Sequence, residues 1–311
     1  MSLRKKAALL KRWANIALGK SAAAVKQGNG RYYSKDEIRG YYNDLTGKIS
    51  SGTVVDDKNI PLTEIEGGTF VRFPIAIFQY GLAVYDTHLA GEGDLTVFRT
   101  ISDWALSMQR DDGSWDAFGP LGSSRYTVSS MCQGEGASLL FRAAKEFGDK
   151  KYEEAAFKAI DFMLRPVNEG GTAVYEEGRL YLEEYPQKPR RSVMNGWIFS
   201  IFGLYDAKLI KPNRYTSVFN QTLDTLCRDI RLYDCGYWSL YDAQGKIASP
   251  AYHSLHIALL DVLYDLTGRK ELQDAGSRFE AYSKKKSYRA KAILKKLRQK
   301  LTEKSDVITI R

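Results

Sequence analysis

Two adjacent carboxylates, Glu183 and Glu184, followed by Tyr185 and Pro186, stand between a strand-like alternation (Arg179 to Leu182) and an apolar helical run. Neither a hairpin exit nor a helix start requires that order. A carboxylate takes up a proton, and a tyrosine, with an ordinary pKa of about 10, is a neutral acid at pH 7. Together they are the groups of general acid–base catalysis. Strand alternation places Glu183 and Tyr185 on one face and Glu184 on the other. Pro186 keeps Tyr185 extended. The expectation is Glu184 inward, a twist or bulge bringing Tyr185 to the rim, and Glu183 as a solvated carboxylate without a chemical role.

A second group of candidates is aromatic. The chain has 20 tyrosines and 12% aromatic residues, and Tyr237, Trp238, Tyr241 and Tyr252 fall in connections between helical segments. Such rings stack on the apolar faces of sugars or pack a core. His253 and His256, three residues apart, are too few for a metal. They serve either as polar support for a neighbouring tyrosine or as satisfied structural histidines. No metal motif, P-loop, dinucleotide fingerprint or nucleophile elbow is present, so no cofactor is expected. Three cysteines, Cys132, Cys227 and Cys235, fit no zinc spacing and read as reduced thiols, with Cys132 a small buried hydrophobe.

The elements that must position these residues are mostly helical. Ser34 with Glu37 makes a capping box and predicts a short helix within residues 31–45. Residues 47–72 read as extended or hairpin. From Pro74 the apolar spacing is helical: 74–89, 95–108 with Asp94 as cap, 129–147, 152–164, 192–210, 215–232, 253–267 and 271–283. Residues 172–182 interrupt as a hairpin around "EEG". The turns "DDGSW" (Asp111 to Trp115) and "DCGYW" (Asp234 to Trp238) share one pattern, each following a helix and placing Gly two residues before Trp. Helices paired through aromatic-bearing turns, with an all-apolar run at Val193 to Tyr205, predict a mainly α fold. That fold is an α/α toroid, or incomplete α/α barrel, with one short β-hairpin. The divisions are an extension (1–70), the toroid (71–283) and a basic helical tail (284–311).

Five motifs in order, "IFQYGLAVYD" (Ile77 to Asp86), "SSMCQGEGASLLFRA" (Ser129 to Ala143), "EEYPQKPRRSVMNGWIFSIFGLYD" (Glu183 to Asp206), "GYWSLYD" (Gly236 to Asp242) and "SPAYHSLHIALL" (Ser249 to Leu260), resemble the C-terminal helical domain of D-glucuronyl C5-epimerases. The resemblance covers residues 70–283, in a compact version without most of the β-rich domains of the animal enzymes. It implies inversion of carbon 5 of glucuronic acid residues to iduronic acid within an acidic polysaccharide. Removing a proton α to a carboxylate builds charge on that carboxylate, and inversion needs acid/base groups on opposite faces of the ring. By the resemblance, Glu184, Tyr185, Tyr241 and Tyr252 are catalytic, with Glu184 the base toward iduronate and Tyr252 the proton donor. Asn195 contacts substrate, and Gln133, Gln79 and Tyr80 line the cleft. Trp238 and His253, within the same motifs, join the substrate-contacting set. The family's animal members place an arginine three residues after the tyrosine of "YD", where this chain has Gln244. Either Arg190, Arg191 or Lys246 supplies the missing charge, or the substrate differs.

The net charge of +9 is concentrated at the two ends and suits either a polyanion or a solvated helix face. No nucleic-acid module accompanies it. No segment is long and apolar enough to span a bilayer, and the basic N-terminus lacks the apolar stretch of a secretory signal, so a cytoplasmic protein is expected. That N-terminus is expected to pack on the body or fray, with an amphipathic helix docking on a surface as the alternative reading. The resemblance implies a homodimer. Rival readings are a polysaccharide lyase, an unsaturated uronyl hydrolase or another toroid glycosidase, and a polysaccharide-binding protein without activity.

Overall fold

The chain is described from a computed structural model covering residues 27–49, 53–65, 67–123 and 125–302. The expected amphipathic N-terminal helix lies outside the described residues. Nine helices fall among them: α1 (Pro74–Leu89), α2 (Leu95–Met108), α3 (Ser130–Phe147), α4 (Lys150–Leu164), α5 (Met194–Ile210), α6 (Pro212–Asp229), α7 (Pro250–Thr267), α8 (Lys270–Ser283) and α9 (Lys286–Thr302). Their starts are chemical. Asp94, Ser129, Asp149 and Ser249 each accept a backbone N–H of the first turn, and α1, α6 and α7 carry proline there. Gly148 and Gly268, at φ 66° and 69°, end α3 and α7 in the left-handed conformation that glycine adopts without a steric cost.

Successive helices pair as α1–α2, α3–α4, α5–α6 and α7–α8, and α1, α3, α5 and α7 pack side by side in that order. The first member of each pair is the inner one. Every residue of α3 from Ser130 to Ala143, and of α5 from Met194 to Ala207, is buried. By contrast, α4 and α6 bury one stripe each, as outer helices do. The α3–α5 approach is close: a Cβ on Gly134 would meet the Ser200 Cα at 2.7 Å. This is the incomplete α/α barrel expected from the sequence.

The N-terminal segment bridges the first and last inner helices. Strands β1 (Gly28–Asn29) and β2 (Asn43–Asp44) pair antiparallel and pack on α7, and the 3₁₀ turn Thr46–Lys48 packs on α1. Tyr33 and Lys35 bond to Asp265 at 2.8 and 2.7 Å. The Tyr41 N–H donates to Asp86 at 2.8 Å. The helix expected within residues 31–45 is not formed. Ser34 Oγ caps only a local turn, accepting from the Asp36 N–H at 3.2 Å, while burial of Tyr41, Tyr42 and Leu45 holds the chain extended. Tertiary packing overrides the local helix signal.

One buried ion pair joins this segment to the ring. Arg142 on α3 donates to Asp206 on α5 at 2.7 Å and to the Gly40 carbonyl at 3.0 Å, while the Tyr42 hydroxyl donates to Asp206 at 2.6 Å. Further on, β3 (Thr63–Glu64) pairs with β4 (Phe70–Val71), and β5 (Ala173–Glu176) with β6 (Arg179–Leu182). The second pair is the expected hairpin, turned by Glu177 and Gly178 at positive φ. At the C-terminus, α9 buries Ala292 and Lys296 against a cluster of Trp238, Leu240, Ile247 and Ala248, and the Lys296 ammonium donates to the Ile247 carbonyl at 2.7 Å. Part of the basic tail therefore props the loop that carries Tyr241.

Candidate active site

The segment after β6 is pinned over the start of α3. The Glu183 N–H donates to the Thr172 carbonyl at 3.0 Å, and the Ser130 N–H donates to the Glu183 carbonyl at 3.1 Å. Because β6 ends at Leu182, strand alternation no longer governs Glu183 and Glu184, and both side chains are buried. Glu183 is no solvated carboxylate: it is 0% exposed and accepts from the Ser192 N–H (2.9 Å), the Ser192 hydroxyl (2.6 Å) and the Arg191 N–H (3.1 Å). Those bonds hold Ser192 at φ 48°, a conformation unusual for serine. They also fix the turn that presents Arg191 and leads into α5. Sequence reasoning expected a solvated carboxylate here and missed this structural task.

Glu184 turns the other way, onto the first turn of α5. A Cβ on Gly196 would lie 2.8 Å from the Glu184 Cβ and would collide with its carboxylate, so the glycine makes the space that the acid occupies. Glu184 is 5% exposed, and its Oε2 has no hydrogen-bond partner. Burial pushes its pKa up to about 7, against the opposing influence of the Tyr185 hydroxyl and the Arg191 charge.

Three tyrosines share this space. Tyr185 is half-buried and stacks on Phe118, with ring centroids 4.9 Å apart and planes 14° from parallel. Tyr241 sits on the loop between α6 and α7. Its carbonyl accepts the Met194 N–H at 3.1 Å, tying that loop to the same helix start that receives Glu184. Tyr252, in the first turn of α7, meets the Tyr241 ring edge-on at 5.0 Å and is 39% exposed. Burial, followed by the Glu184 charge, raises all three hydroxyl pKa values, Tyr252 to about 12 and the other two well above the usual value. Arg191, paired with Asp242 at 2.8 Å, lies 5.3 Å from the Tyr185 ring centre, and the Lys296 ammonium lies 5.6 Å from that of Tyr241.

The remaining sequence candidates divide. Asn195 is buried beside Gly196 with its Oδ1 unpartnered. Gln79 on α1 is buried and donates to Glu135 at 2.8 Å. Gln244 braces the Arg191 turn: its side-chain amide donates to the Arg190 carbonyl at 3.0 Å and its backbone N–H to the Asp242 carboxylate at 3.2 Å. Arg190 points outward, over the Tyr181 ring at 3.5 Å and onto Glu176 at 3.2 Å. Tyr80 packs half-buried against the core, with no bond to the tyrosine cluster.

Three residues do not fit a substrate-contacting role. Gln133 is 0% exposed and its amide is spent on the turn before α3, accepting from the Trp115 N–H at 3.1 Å and donating to the Gly113 carbonyl at 2.9 Å. His253 is fully buried, with Nδ1 accepting from the Ser239 N–H at 3.1 Å and Nε2 donating to the Phe279 carbonyl at 2.9 Å. Burial lowers its pKa to about 4, so it stays neutral. Trp238 lies buried on the His253 ring, centroids 3.7 Å apart. Both buttress the Tyr241 loop. Missed from sequence was Gly196, whose bare Cα seats Glu184. Among the described residues, no group of His, Cys, Asp or Glu is arranged to hold a metal, and no helix is long and apolar enough to cross a membrane.

Residues 123–281, which carry most of this arrangement, match the family model described as D-glucuronyl C5-epimerase C-terminus. The chain belongs to that family. It is 30% identical over 215 residues to a D-glucuronyl C5-epimerase of Caenorhabditis elegans, covering 60% of this chain and 35% of that protein. It is 28% identical over 144 residues to an uncharacterized protein of Methanocaldococcus jannaschii, covering 45% of this chain and 47% of the relative. The chain thus spans a third to a half of the curated relatives it matches. Among solved structures, an unsaturated glucuronyl hydrolase from Bacillus sp. GL1 overlaps 88% of this chain and 83% of its own at a TM-score of 0.45 and 14% identity. A polysaccharide lyase overlaps 79% and 38% at 0.44 and 14%. Overlap that loose says nothing of chemistry.

Proposed function

We propose that the protein is a uronate C5-epimerase acting on glucuronic acid residues within an acidic polysaccharide. The observation that carries this reading is a buried carboxylate, Glu184, facing three tyrosine hydroxyls with an arginine beside them.

The chemistry follows from the groups. Glu184, with a pKa near the working pH, is a better base than a solvated carboxylate and is still substantially ionised. It takes the carbon-5 proton. The electron pair left behind delocalises into the substrate carboxylate, and Arg191 neutralises the growing charge. Its pairing with Asp242 holds the guanidinium in place and leaves N–H groups for a substrate carboxylate. Arg191 therefore takes the part that Gln244 cannot. Tyr252, neutral at pH 7, returns a proton to the other face. A hydrogen bond from the Tyr241 hydroxyl favours the Tyr252 phenolate left behind. In the reverse direction, protonated Glu184 is the acid and the Tyr252 phenolate the base; after a forward turnover Glu184 gives its proton to solvent and Tyr252 takes one up, so the starting state returns and no other reactant is consumed. Tyr185 supports Glu184.

Incubation of glucuronate-containing polymers with the protein in heavy water tests this. Deuterium at carbon 5 without chain cleavage is expected. New unsaturated ends absorbing in the ultraviolet would make the protein a lyase.

A further inference from the structure

Tyr241 is held from two sides. On one, its carbonyl accepts the Met194 N–H at the start of α5. On the other it faces the returning arm of its own loop. The Tyr241 N–H donates to the Lys246 carbonyl at 2.5 Å, and Leu240 bridges antiparallel to Ile247. The Asp242 carboxylate closes the turn between the two arms, accepting from the Gln244 and Lys246 N–H groups at 3.2 and 3.1 Å. Whatever fixes residues 245–247 therefore fixes Tyr241.

That arm is gripped by α9. The Ile247 N–H donates to the Gln299 side-chain oxygen at 3.0 Å, and the Gln299 amide donates to the Gly245 carbonyl at 3.2 Å. The Lys296 ammonium donates to the Ile247 carbonyl at 2.7 Å and lies 5.6 Å from the centre of the Tyr241 ring. Ala292, Lys296 and Gln299 stand at i, i+4 and i+7, one face of the helix. Lysine is almost never buried unless it is paired, and Lys296 is 8% exposed in an otherwise basic, solvated helix. The apolar packing agrees. Trp238, Leu240, Ile247 and Ala248 form a cluster apart from the main core, and Ala292 of α9 completes it. The match to the family model ends at residue 281, and α9 begins at Lys286, so the brace on Tyr241 comes from outside the matched module.

We propose that Lys296 and Gln299 are positioning residues for the reaction: by fixing the arm opposite Tyr241, they set where its hydroxyl meets Tyr252. The proposal rests on the epimerase reading above, in which that hydroxyl favours the Tyr252 phenolate. Both residues act through Tyr241. Their loss leaves Glu184 and Arg191 in place and weakens the return of the proton.

The test is a double-variant cycle read by kcat and KM for iduronate formation. Lys296→Met keeps the aliphatic stem and removes the ammonium. It is expected to lower kcat about tenfold, as displaced catalytic groups do, with KM and the acid limb of the pH profile unmoved. In a Tyr241→Phe background, where the hydroxyl being positioned is already gone, Lys296→Met is expected to lower kcat further by no more than about twofold. A residue that only holds the fold together would cost the same factor in both backgrounds, and equal factors overturn the proposal. So does a wild-type kcat in Lys296→Met. Gln299→Ala, a milder change, repeats the cycle if Lys296→Met fails to fold, with the same pattern expected in lesser degree. Amide hydrogen exchange reads the brace without substrate: the Ile247 N–H is expected to exchange faster in Gln299→Ala at an unaltered melting temperature, and wild-type protection there overturns the proposal. Lost Ile247 protection in a protein whose wild type inverts no uronate would leave the brace standing and sink the epimerase reading.

Discussion

The carboxylate of Glu184 rests on the bare Cα of Gly196, in the first turn of inner helix α5, where any larger side chain would displace it. Gly196→Ala should therefore separate stability from activity. Within a helix, alanine is favoured over glycine by about 1 kcal/mol, which offsets part of the clash. The exchange rate should nonetheless fall at least about tenfold, as displaced catalytic groups commonly cause. A melting curve with initial rates decides it. Wild-type rates in the alanine variant would mean that Glu184 needs no fixed seat.

The two neighbouring glutamates should behave as opposites. Glu184→Gln should lower exchange by about 10² to 10⁴, the range for a lost general base, with a melting temperature equal to or above wild type because a buried charge is gone. Glu183→Gln should cost stability first. One of its oxygens becomes an amide facing donors from Ser192 and Arg191, leaving buried N–H groups unpaired at about 1–3 kcal/mol each. Equal stability in the two variants would contradict the division.

Removing Arg191 should move a pH profile in a known direction. Glu184 must be ionised to act as base, so kcat/KM toward iduronate should rise with pH around 7, the value set mainly by burial. The Arg191 charge holds that pKa down. Arg191→Gln should shift the acid limb to higher pH and raise KM for the polymer. A limb that stays in place would mean that the arginine does not act on the base.

The pair between Arg142 and Asp206 ties the N-terminal segment to the ring. Arg142→Met should destabilise by about 3–5 kcal/mol, the cost of leaving a buried partner charge uncompensated. Denaturant titration measures it, and a loss below about 1 kcal/mol, the scale of an exposed pair, would show that the segment is not anchored there.

Much of the fold was legible because its signals are local. The inner helix α5 was readable from unbroken apolarity at Val193 to Tyr205, and the helix starts from Asp94, Ser129 and Ser249. The segment within residues 31–45 was misread because its conformation is set by burial of Tyr41 and Tyr42 and by Asp86, 45 residues beyond Tyr41. In the site, Glu184, Tyr185, Tyr241 and Tyr252 came from motif order and stand together. Gln133, Trp238 and His253 came from the same motifs and serve as braces, because a motif marks a neighbourhood without saying which way a side chain faces.

The most direct test of the central claim is carbon-5 hydrogen exchange on glucuronate polymers in heavy water, run side by side with wild type, Glu184→Gln and Tyr252→Phe. Deuterium entering at carbon 5 with iduronate formed by wild type, no exchange by Glu184→Gln, and no iduronate from Tyr252→Phe, while both variants still bind polymer, is the expected result. A wild-type protein that binds these polymers and exchanges no hydrogen on any of them would contradict it.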